Sequence, residues 1–386
     1  MDDTGHLDTT FCPPGVCVLT AGGMAAIASI ALWGKGASAI MRRLFSASVP
    51  DCGHLAHGTL KDGQTVIDSI VAACEQDECF VLHCHGNPLL VEHIVTLCRH
   101  CGATLRTAES FWTAQLNASC RTPIEAEAKL AMAGAATLEA VELLAAQITG
   151  GLSGWAAQWI ECKSIDINRL RKESDDIRQR SQPARYLIDG VRIALVGPPN
   201  SGKSTLLNRL AAEEAAIVSD VAGTTRDWIS TTCRIGPLRA EVIDTAGLND
   251  TLAAANSLDR AAQKTALKTL KTCDLVLNIQ DCTQPHTRPL PCTTGACLTV
   301  FTKSDLWAEK DVFTPTSQHP WVLLSALTGD GLDPLNSAIL AALKVDSMDP
   351  KQPVCFTQRQ HRHLSHIGQA QTLHAAKAEL DQLSRW

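Results

Sequence analysis

The sequence predicts a multidomain α/β protein in which the region from Val191 to about Lys344 forms a doubly wound, mostly parallel sheet. One observation is the apolar run Val191–Val196, which leads through a glycine-rich loop into a segment with helical apolar spacing. A second is a series of further apolar runs, each ending in a polar loop, at 241–244, 274–279, 296–301 and 321–324. The length of 386 residues also leaves room for two or three domains with separate cores.

The glycine-rich loop, from Gly197 to Ser204, has the pattern G-x-x-x-x-G-K-S. Its glycines allow backbone N–H groups to curl around a phosphate, and the following helix adds the positive end of its dipole. In this pattern Lys203 reaches the β- and γ-phosphates, and the Ser204 hydroxyl binds Mg²⁺. We therefore predict a nucleoside triphosphate site. Its phosphate-binding residues are Asn200, Ser201, Gly202, Lys203, Ser204 and Thr205.

Two later motifs complete the phosphate and base ends of this site. Asp244 begins a D-x-x-G motif, in which the carboxylate can hold the water shell of Mg²⁺ and Gly247 can donate its N–H to the γ-phosphate. Thr302 begins a T-K-x-D motif, in which the Asp305 carboxylate can accept two hydrogen bonds from guanine N1–H and N2–H₂. Adenine has no such donor pair, so an unpaired carboxylate would reject it.

A lysine and a loop add further contacts to the predicted base site. Lys303 is expected to lie along the base and the ribose. The loop that follows 321–324 places Ser325 and Ala326 where backbone N–H groups can bind the guanine O6. Because these motifs occur in a fixed order, each directly after an apolar run, we predict that the site is specific for GTP.

Composition favours the cytoplasm but leaves one metal site open. The formal net charge of −6 gives no basic composition typical of nucleic-acid binding, and the 16 cysteines are scattered, as in a reducing compartment. Cys98 and Cys101 form a C-x-x-C pair downstream of His83, Cys84 and His85, which together could bind zinc. The helical apolar spacing before Cys98 favours instead a position in the core.

The uncharged stretch from Gly15 to Trp33 is nearly long enough to cross a bilayer. The acidic residues before it are unlike a signal sequence, and Gly22 and Gly23 divide it into two short pieces. We therefore predict strand–turn–strand or strand–turn–helix, and no membrane segment.

Three segments of the nucleotide-binding region resemble the TrmE/Era/EngA group of GTPases. They are G-x-P-N-S-G-K-S at 197–204, A-A-I-V-S-D-V-A-G-T-T-R-D at 215–227 and D-T-A-G-L at 244–248. Within that group the layout resembles the MnmE (TrmE) tRNA-modification GTPase family. Three segments outside the nucleotide-binding region also resemble MnmE, at 22–30, 83–88 and 125–131.

The resemblance implies a specific domain organisation. Residues 1–117 would form an α+β, folate-binding-like domain that dimerises. Residues 118–189 and 355–386 would form a helical bundle domain, interrupted by a P-loop GTPase domain at 190–345. In the family's H-G-G-P segment, Gly86 and Asn87 are the implied contacts of 5-formyl-tetrahydrofolate, with Asn87 in place of the second glycine.

The resemblance also implies cation and catalytic roles. Asn200 and the backbone carbonyls around Ser219 and Val221 would bind K⁺, which neutralises charge on the transferring phosphoryl group as the GTPase domains dimerise. Thr225, next to Thr224 in the nucleotide site, would be a second Mg²⁺ ligand from the protein. With Lys203 and Gly247, the implied catalytic residues are Thr225 and Asp259.

The water-orienting acid differs from the family in the length of its side chain. Asp259 stands where the family has a glutamate and is one methylene shorter, and Asp250 is a second candidate. Both could instead be solvated surface acids.

The C-terminal segment departs from the family, because it contains no C-x-G-K motif. We expect one return helix, from about Arg359 to Leu383, to pack on the helices of residues 122–182. The apolar stripe of this helix consists of Leu364, Ile367, Leu373, Leu380 and Leu383.

The predicted function is GTP hydrolysis dependent on Mg²⁺ and K⁺, in the modification of wobble uridine in tRNA. The implied partners are a second copy of the chain, tRNA and an MnmG-like flavoprotein. The alternative is a GTPase switch or scaffold of the ribosome-assembly type, without tRNA-modification chemistry.

Overall fold

A computed structural model describes residues 13–212, 229–244, 271–284, 296–307 and 319–385. These residues fall into two compact units, Met1–Cys120 and Arg121–Trp386. Each unit has an apolar core of its own.

The first unit is built on a six-stranded sheet with the order β3-β4-β5-β2-β1-β6. Its strands are β1 (Gly15–Val18), β2 (Ile27–Trp33), β3 (Leu55–Asp62), β4 (Thr65–Gln76), β5 (Cys79–His85) and β6 (Thr104–Leu105). Three helices accompany them: α1 (Ala37–Leu44), α2 (Pro88–His100) and α3 (Ala108–Ser119). Neighbouring strands are antiparallel except β1 and β6, which are parallel.

The stretch considered as a membrane segment forms two short antiparallel strands, β1 and β2. Of the two predicted arrangements, strand–turn–strand and strand–turn–helix, the structure has the first. Among the described residues, the helices are all too short or too polar to cross a bilayer.

The cysteines considered as zinc ligands lie in different surroundings. Cys84 and Cys98 are buried in the apolar core between the sheet and α2, as predicted for Cys98. His83 Nδ1 lies 2.9 Å from the Ser29 hydroxyl oxygen, and His85 Nδ1 lies 2.7 Å from a carboxylate oxygen of Asp68. The described part of the chain contains no group of three or more His, Cys, Asp or Glu residues placed to bind a metal.

The second unit contains another six-stranded sheet, with the order β12-β11-β10-β7-β9-β8. Its strands are β7 (Val191–Val196), β8 (Ile229–Ile235), β9 (Leu238–Asp244), β10 (Leu275–Asp281), β11 (Ala296–Thr302) and β12 (Trp321–Leu323). Helices α8 (Lys203–Ala212) and α9 (Leu332–Ala342) belong to the same region. Only β8 pairs antiparallel in this described sheet, at its edge, so the predicted mostly parallel sheet is confirmed.

The chain places β9 on one side of β7 and β10 on the other. In an open parallel sheet such a reversal leaves a crevice at the carboxyl ends of the strands, where ligands bind. The glycine-rich loop follows β7 and lies at this point.

The remaining helices pack around Trp155, Trp159, Leu170 and Ile177, except one whose Leu143 belongs to the core of the parallel sheet. They are α4 (Pro123–Gly134), α5 (Leu138–Thr149), α6 (Gly151–Glu161), α7 (Ile167–Asp189), α10 (Gln358–Gln369) and α11 (Leu373–Ser384). The side chains of Thr122, Thr137 and Asp166 cap α4, α5 and α7 by accepting hydrogen bonds from backbone N–H groups of the first turn.

The prediction of a single return helix is wrong, because the segment forms two helices, α10 and α11. The Thr372 hydroxyl accepts a hydrogen bond from the Ala375 N–H and starts a new helix. Four members of the apolar stripe are buried as predicted: Leu364, Ile367, Leu380 and Leu383. Leu373 is 37% exposed, because it is the first residue of α11 and lies where the buried stripe reaches the end of the helix.

Gln147 is a fully buried polar residue that connects α5 to the segment returning from the parallel sheet. Its Nε2 group faces the carbonyl oxygens of Pro350 and Gln352 at 3.1 and 3.2 Å. Its Oε1 atom accepts hydrogen bonds from the N–H groups of Leu152 and Val354 at 2.9 and 3.0 Å. One amide thus satisfies backbone groups of two segments distant in sequence.

Replacing Gln147 by leucine is expected to lower the free energy of unfolding by about 3 kcal/mol, because buried backbone groups lose their partners. Urea denaturation followed by circular dichroism would measure the loss. Gln179→Leu on α7 is the matched control, since Gln179 is exposed. Equal stability of the two variants would contradict this role of Gln147.

Candidate active site

The backbone of the loop between β7 and α8 requires small or left-handed residues. A Cβ atom on Gly197 would overlap with the carbonyl oxygen of Ile279 on β10. Asn200 and Gly202 have φ angles of 62° and 92°, which lie in the left-handed region. These positions curl the loop at the carboxyl end of β7, as its sequence pattern predicts.

Lys203 is buried within this loop, with only 7% of its surface exposed. Its Nζ group donates hydrogen bonds to the carbonyl oxygens of Gly197 and Pro198, both at 2.8 Å. The loop therefore holds a positive charge at the place where the sequence predicts the β- and γ-phosphates.

Ser204 and Asp244 lie together at the ends of α8 and β9. The Ser204 hydroxyl donates a hydrogen bond of 3.0 Å to Oδ2 of Asp244. The other carboxylate oxygen of Asp244, Oδ1, is buried and has no hydrogen-bond partner among the described residues. A buried carboxylate oxygen without a partner, beside a hydroxyl, is the oxygen donor set that Mg²⁺ prefers. These two residues therefore fit the predicted magnesium site.

The predicted base end lies in the segments that follow the neighbouring strands β11 and β12. The Ser325 hydroxyl donates a hydrogen bond of 2.5 Å to Oδ1 of Asp305. Ser325 and Ala326 are buried, whereas Asp305 is exposed at the edge of the sheet. The two loops predicted to bind guanine are thus joined, and the Asp305 carboxylate is held in one orientation.

Thr302 connects the base end to the phosphate end. Its hydroxyl group lies 2.5 Å from the carbonyl oxygen of Ser201 in the glycine-rich loop and 3.1 Å from that of Gln280 on β10. A single hydroxyl therefore fixes the spacing between the two halves of the site.

One further charged residue at these strand ends, not predicted from the sequence, is Asp281 at the end of β10. Its Oδ2 atom lies 2.6 Å from Nζ of Lys303. Burial alone would raise the pKa of the Asp281 carboxyl, but hydrogen bonds from Lys303 and Thr283 outweigh burial and hold the pKa below its usual value. The available signal was an acid two positions after Ile279, the last apolar residue of the strand beside the T-K-x-D motif.

The other predicted nucleotide and cation residues are only partly described. Asn200 and Thr205 lie exposed beside the loop and at the first turn of α8. Outside the described residues lie the predicted K⁺, Mg²⁺ and catalytic positions Ser219, Val221, Thr224, Thr225, Gly247, Asp250 and Asp259.

Gly86 and Asn87 lie in the first unit and have local structural roles. A Cβ atom on Gly86 would overlap with the backbone of Ala25. The Asn87 side chain caps α2 by accepting a hydrogen bond of 2.9 Å from the Leu89 N–H. Contact with a folate stays a prediction for both residues.

Comparison with known proteins relates this chain to GTPases. Residues 192–300 match the family model described as 50S ribosome-binding GTPase. The tRNA modification GTPase MnmE of Akkermansia muciniphila is 27% identical over 84% of this chain and 79% of the relative. The MnmE of Hyphomonas neptunium is 29% identical over 90% of this chain and 85% of the relative.

Other relatives match more closely over a shorter stretch. The MnmE of Rhodospirillum rubrum is 36% identical over 54% of this chain, and the match spans 45% of that relative's length. The chain therefore contains a GTPase domain and is similar to MnmE proteins along most of its length.

Proposed function

We propose that this chain, a GTP-hydrolysing enzyme similar to MnmE, acts in the modification of tRNA. The observation that carries the proposal is the extent of the similarity, which reaches 84% and 90% of the chain in two relatives named as tRNA modification GTPases. Likeness confined to the GTPase domain would support hydrolysis alone. Similarity along both units supports the wider role.

The described residues support a division of labour in GTP binding. Asp305 and Ser325 would select guanine, while the loop around Lys203 would hold the phosphates. The buried ammonium group of Lys203 places charge where charge develops on the phosphoryl oxygens during hydrolysis. Mg²⁺, held by Ser204 and Asp244, would neutralise further charge on the phosphates.

The residues expected from the family resemblance would complete this site. Asn200, with the carbonyl groups of Ser219 and Val221, would bind K⁺, and Thr225 would add a second protein ligand to Mg²⁺. Gly247 would contact the γ-phosphate, Thr224 would line the nucleotide, and Asp259 would orient the attacking water. Asp250 remains the second candidate for that last role.

The proposed partners follow from the same resemblance. A second copy of the chain would bring two GTPase domains together, and an MnmG-like flavoprotein would act with them on wobble uridine in tRNA. Gly86 and Asn87 would contact 5-formyl-tetrahydrofolate in the first unit.

Potassium is expected to accelerate GTP hydrolysis at least about tenfold over sodium at equal ionic strength, because the cation would neutralise charge on the transferring phosphoryl group. Release of phosphate by the purified chain with Mg²⁺ and GTP would measure it. Asn200→Ala should lose the difference between K⁺ and Na⁺. Asn208→Ala, an exposed asparagine on α8, serves as the control. Equal rates in both salts would contradict the K⁺ site without affecting the assignment as a GTPase.

The role in tRNA needs a separate experiment, because hydrolysis alone does not distinguish tRNA modification from a switch function. Deleting the gene should remove a modified wobble uridine from bulk tRNA, measured by mass spectrometry of nucleosides. Restoring the wild-type gene should bring it back. Unchanged nucleosides after deletion would exclude the tRNA role and favour a switch or scaffold.

A further inference from the structure

Asp281 and Lys303 form an ion pair between two neighbouring strand ends. In the parallel pair of β10 and β11, Asp281 is opposite Thr302, and Lys303 follows directly. The Lys303 Nζ atom lies 2.6 Å from Asp281 Oδ2. The Asp281 side chain is only 7% exposed and that of Lys303 is 30% exposed, so water has limited access to the pair.

Independent contacts hold each partner in place. The Oδ1 atom of Asp281 accepts hydrogen bonds from the N–H and the hydroxyl group of Thr283, at 2.9 and 2.7 Å. Lys303 has a φ angle of 63°, which is uncommon for a residue other than glycine, and its carbonyl oxygen accepts a hydrogen bond from Cys282 Sγ. Left-handed backbone at such a position often accompanies a functional site.

The order of the strands gives the direction of the lysine side chain. From the end of β11, Lys303 reaches towards β10, and the next strand beyond it is β7, which leads into the phosphate loop. Asp305 follows β11 and Ser325 follows β12, so both lie on the side of Lys303 that faces away from β10. A nucleotide with its base at Asp305 and its phosphates at Lys203 therefore spans the strand ends that the Lys303 stem crosses.

We propose that Asp281 is a positioning residue for the nucleotide, which fixes the ammonium group of Lys303 so that its methylene stem forms a rigid apolar support for the purine base. The inference rests on the proposed GTP site. Long basic side chains commonly place their apolar stems on flat surfaces while the charged group binds elsewhere. With Asp281 in place, Lys303 is ordered before the nucleotide arrives, so binding does not bear the cost of ordering it.

A purely structural role is the competing explanation, and the opposite end of the same strand provides a control. There, Asp274 Oδ1 lies 3.4 Å from an Arg185 nitrogen, and Oδ2 accepts a hydrogen bond from the Arg192 N–H at 3.0 Å. Asp274→Asn thus weakens an ion pair of β10 far from the nucleotide. If Asp281 only stabilised the strand, the two substitutions would act alike on GDP binding.

The test measures the Kd of fluorescently labelled GDP for the full chain and four variants. Asp281→Asn and Lys303→Met should each raise the Kd about three- to tenfold, the range expected when one long side chain must be ordered on binding. The Kd of the double variant should not exceed the larger Kd of the two single variants, because both changes remove the same contact. For Asp281→Asn the loss should appear in the KM for GTP rather than in kcat, since the residues of the phosphate loop are unchanged. Asp274→Asn should bind GDP like the wild type.

Each outcome has a defined meaning. A wild-type chain that does not bind GDP would overturn the proposed function, and this inference with it. If the wild type binds GDP and both single variants have the same Kd as the wild type, the role of Asp281 is overturned while the proposed function stands. Effects that add in the double variant would also overturn it, because Asp281 would then not act through Lys303. If Asp281→Asn fails to fold, the Kd of Lys303→Met is the test, since this variant keeps an apolar stem and removes only the ion pair. An unchanged Kd would then overturn the inference.

Discussion

Replacing Asp305 by asparagine is expected to change the preferred base from guanine to xanthine. Guanine presents two donors to this position, N1–H and N2–H₂, and a carboxylate accepts from both. An asparagine accepts from one and places its own N–H₂ group against the other donor. Xanthine has a carbonyl oxygen in place of the amino group, so asparagine can accept from N1–H and donate to that oxygen. The hydroxyl of Ser325, 2.5 Å from Oδ1 of Asp305, can donate to the amide oxygen as it does to the carboxylate.

The expected size follows from the lost contacts. One charge-assisted hydrogen bond disappears and one donor of guanine is left unpaired, which together should weaken GDP binding about a hundredfold or more. Competition of GDP and XDP for a fluorescent nucleotide would measure the change. Asp330→Asn is the matched control, because Asp330 is exposed in the loop that contains Ser325. If Asp305→Asn still prefers GDP to XDP, the guanine base does not bind at Asp305.

The parallel sheet could be predicted because its strands are buried on both faces and end in polar motifs. The apolar run and the strand coincide for β7, Val191–Val196. For β10 the prediction stopped at Ile279, whereas the strand continues to Asp281. The last residues of a strand that faces a ligand site are polar, so an apolar pattern ends before the strand does. For that reason the apolar pattern does not include Asp281.

Contacts between distant segments could not be predicted from local patterns. The acceptors of Gln147 at Pro350 and Gln352 lie about two hundred positions later in the chain, and an isolated glutamine gives no sign of them. The break between α10 and α11 was obscured for a different reason. Both helices bury their apolar residues in the same core, so the stripe continues across the break at Thr372.

Replacing Lys203 by methionine is expected to reduce GTP hydrolysis by about a thousandfold. The ammonium group lies within the loop, bound to the carbonyl oxygens of Gly197 and Pro198, and is the charge nearest the predicted phosphates. Removing one preorganised group that stabilises developing charge lowers kcat by about 10²- to 10³-fold in other enzymes. Here the group also binds the ground-state phosphates, which adds a loss of affinity.

The two losses can be separated by experiment. Methionine keeps the buried stem of Lys203, so the loop should remain folded, and thermal denaturation would verify this. Phosphate release at saturating GTP reports kcat, and titration with labelled GDP reports affinity. Lys377→Met, on the exposed side of α11, is the matched control. Retention of more than about a tenth of wild-type kcat would mean that Lys203 does not contact the transferring phosphoryl group. Its burial would then serve only to close the loop, and the charge for hydrolysis would have to come from cations bound at Asn200 or Asp244.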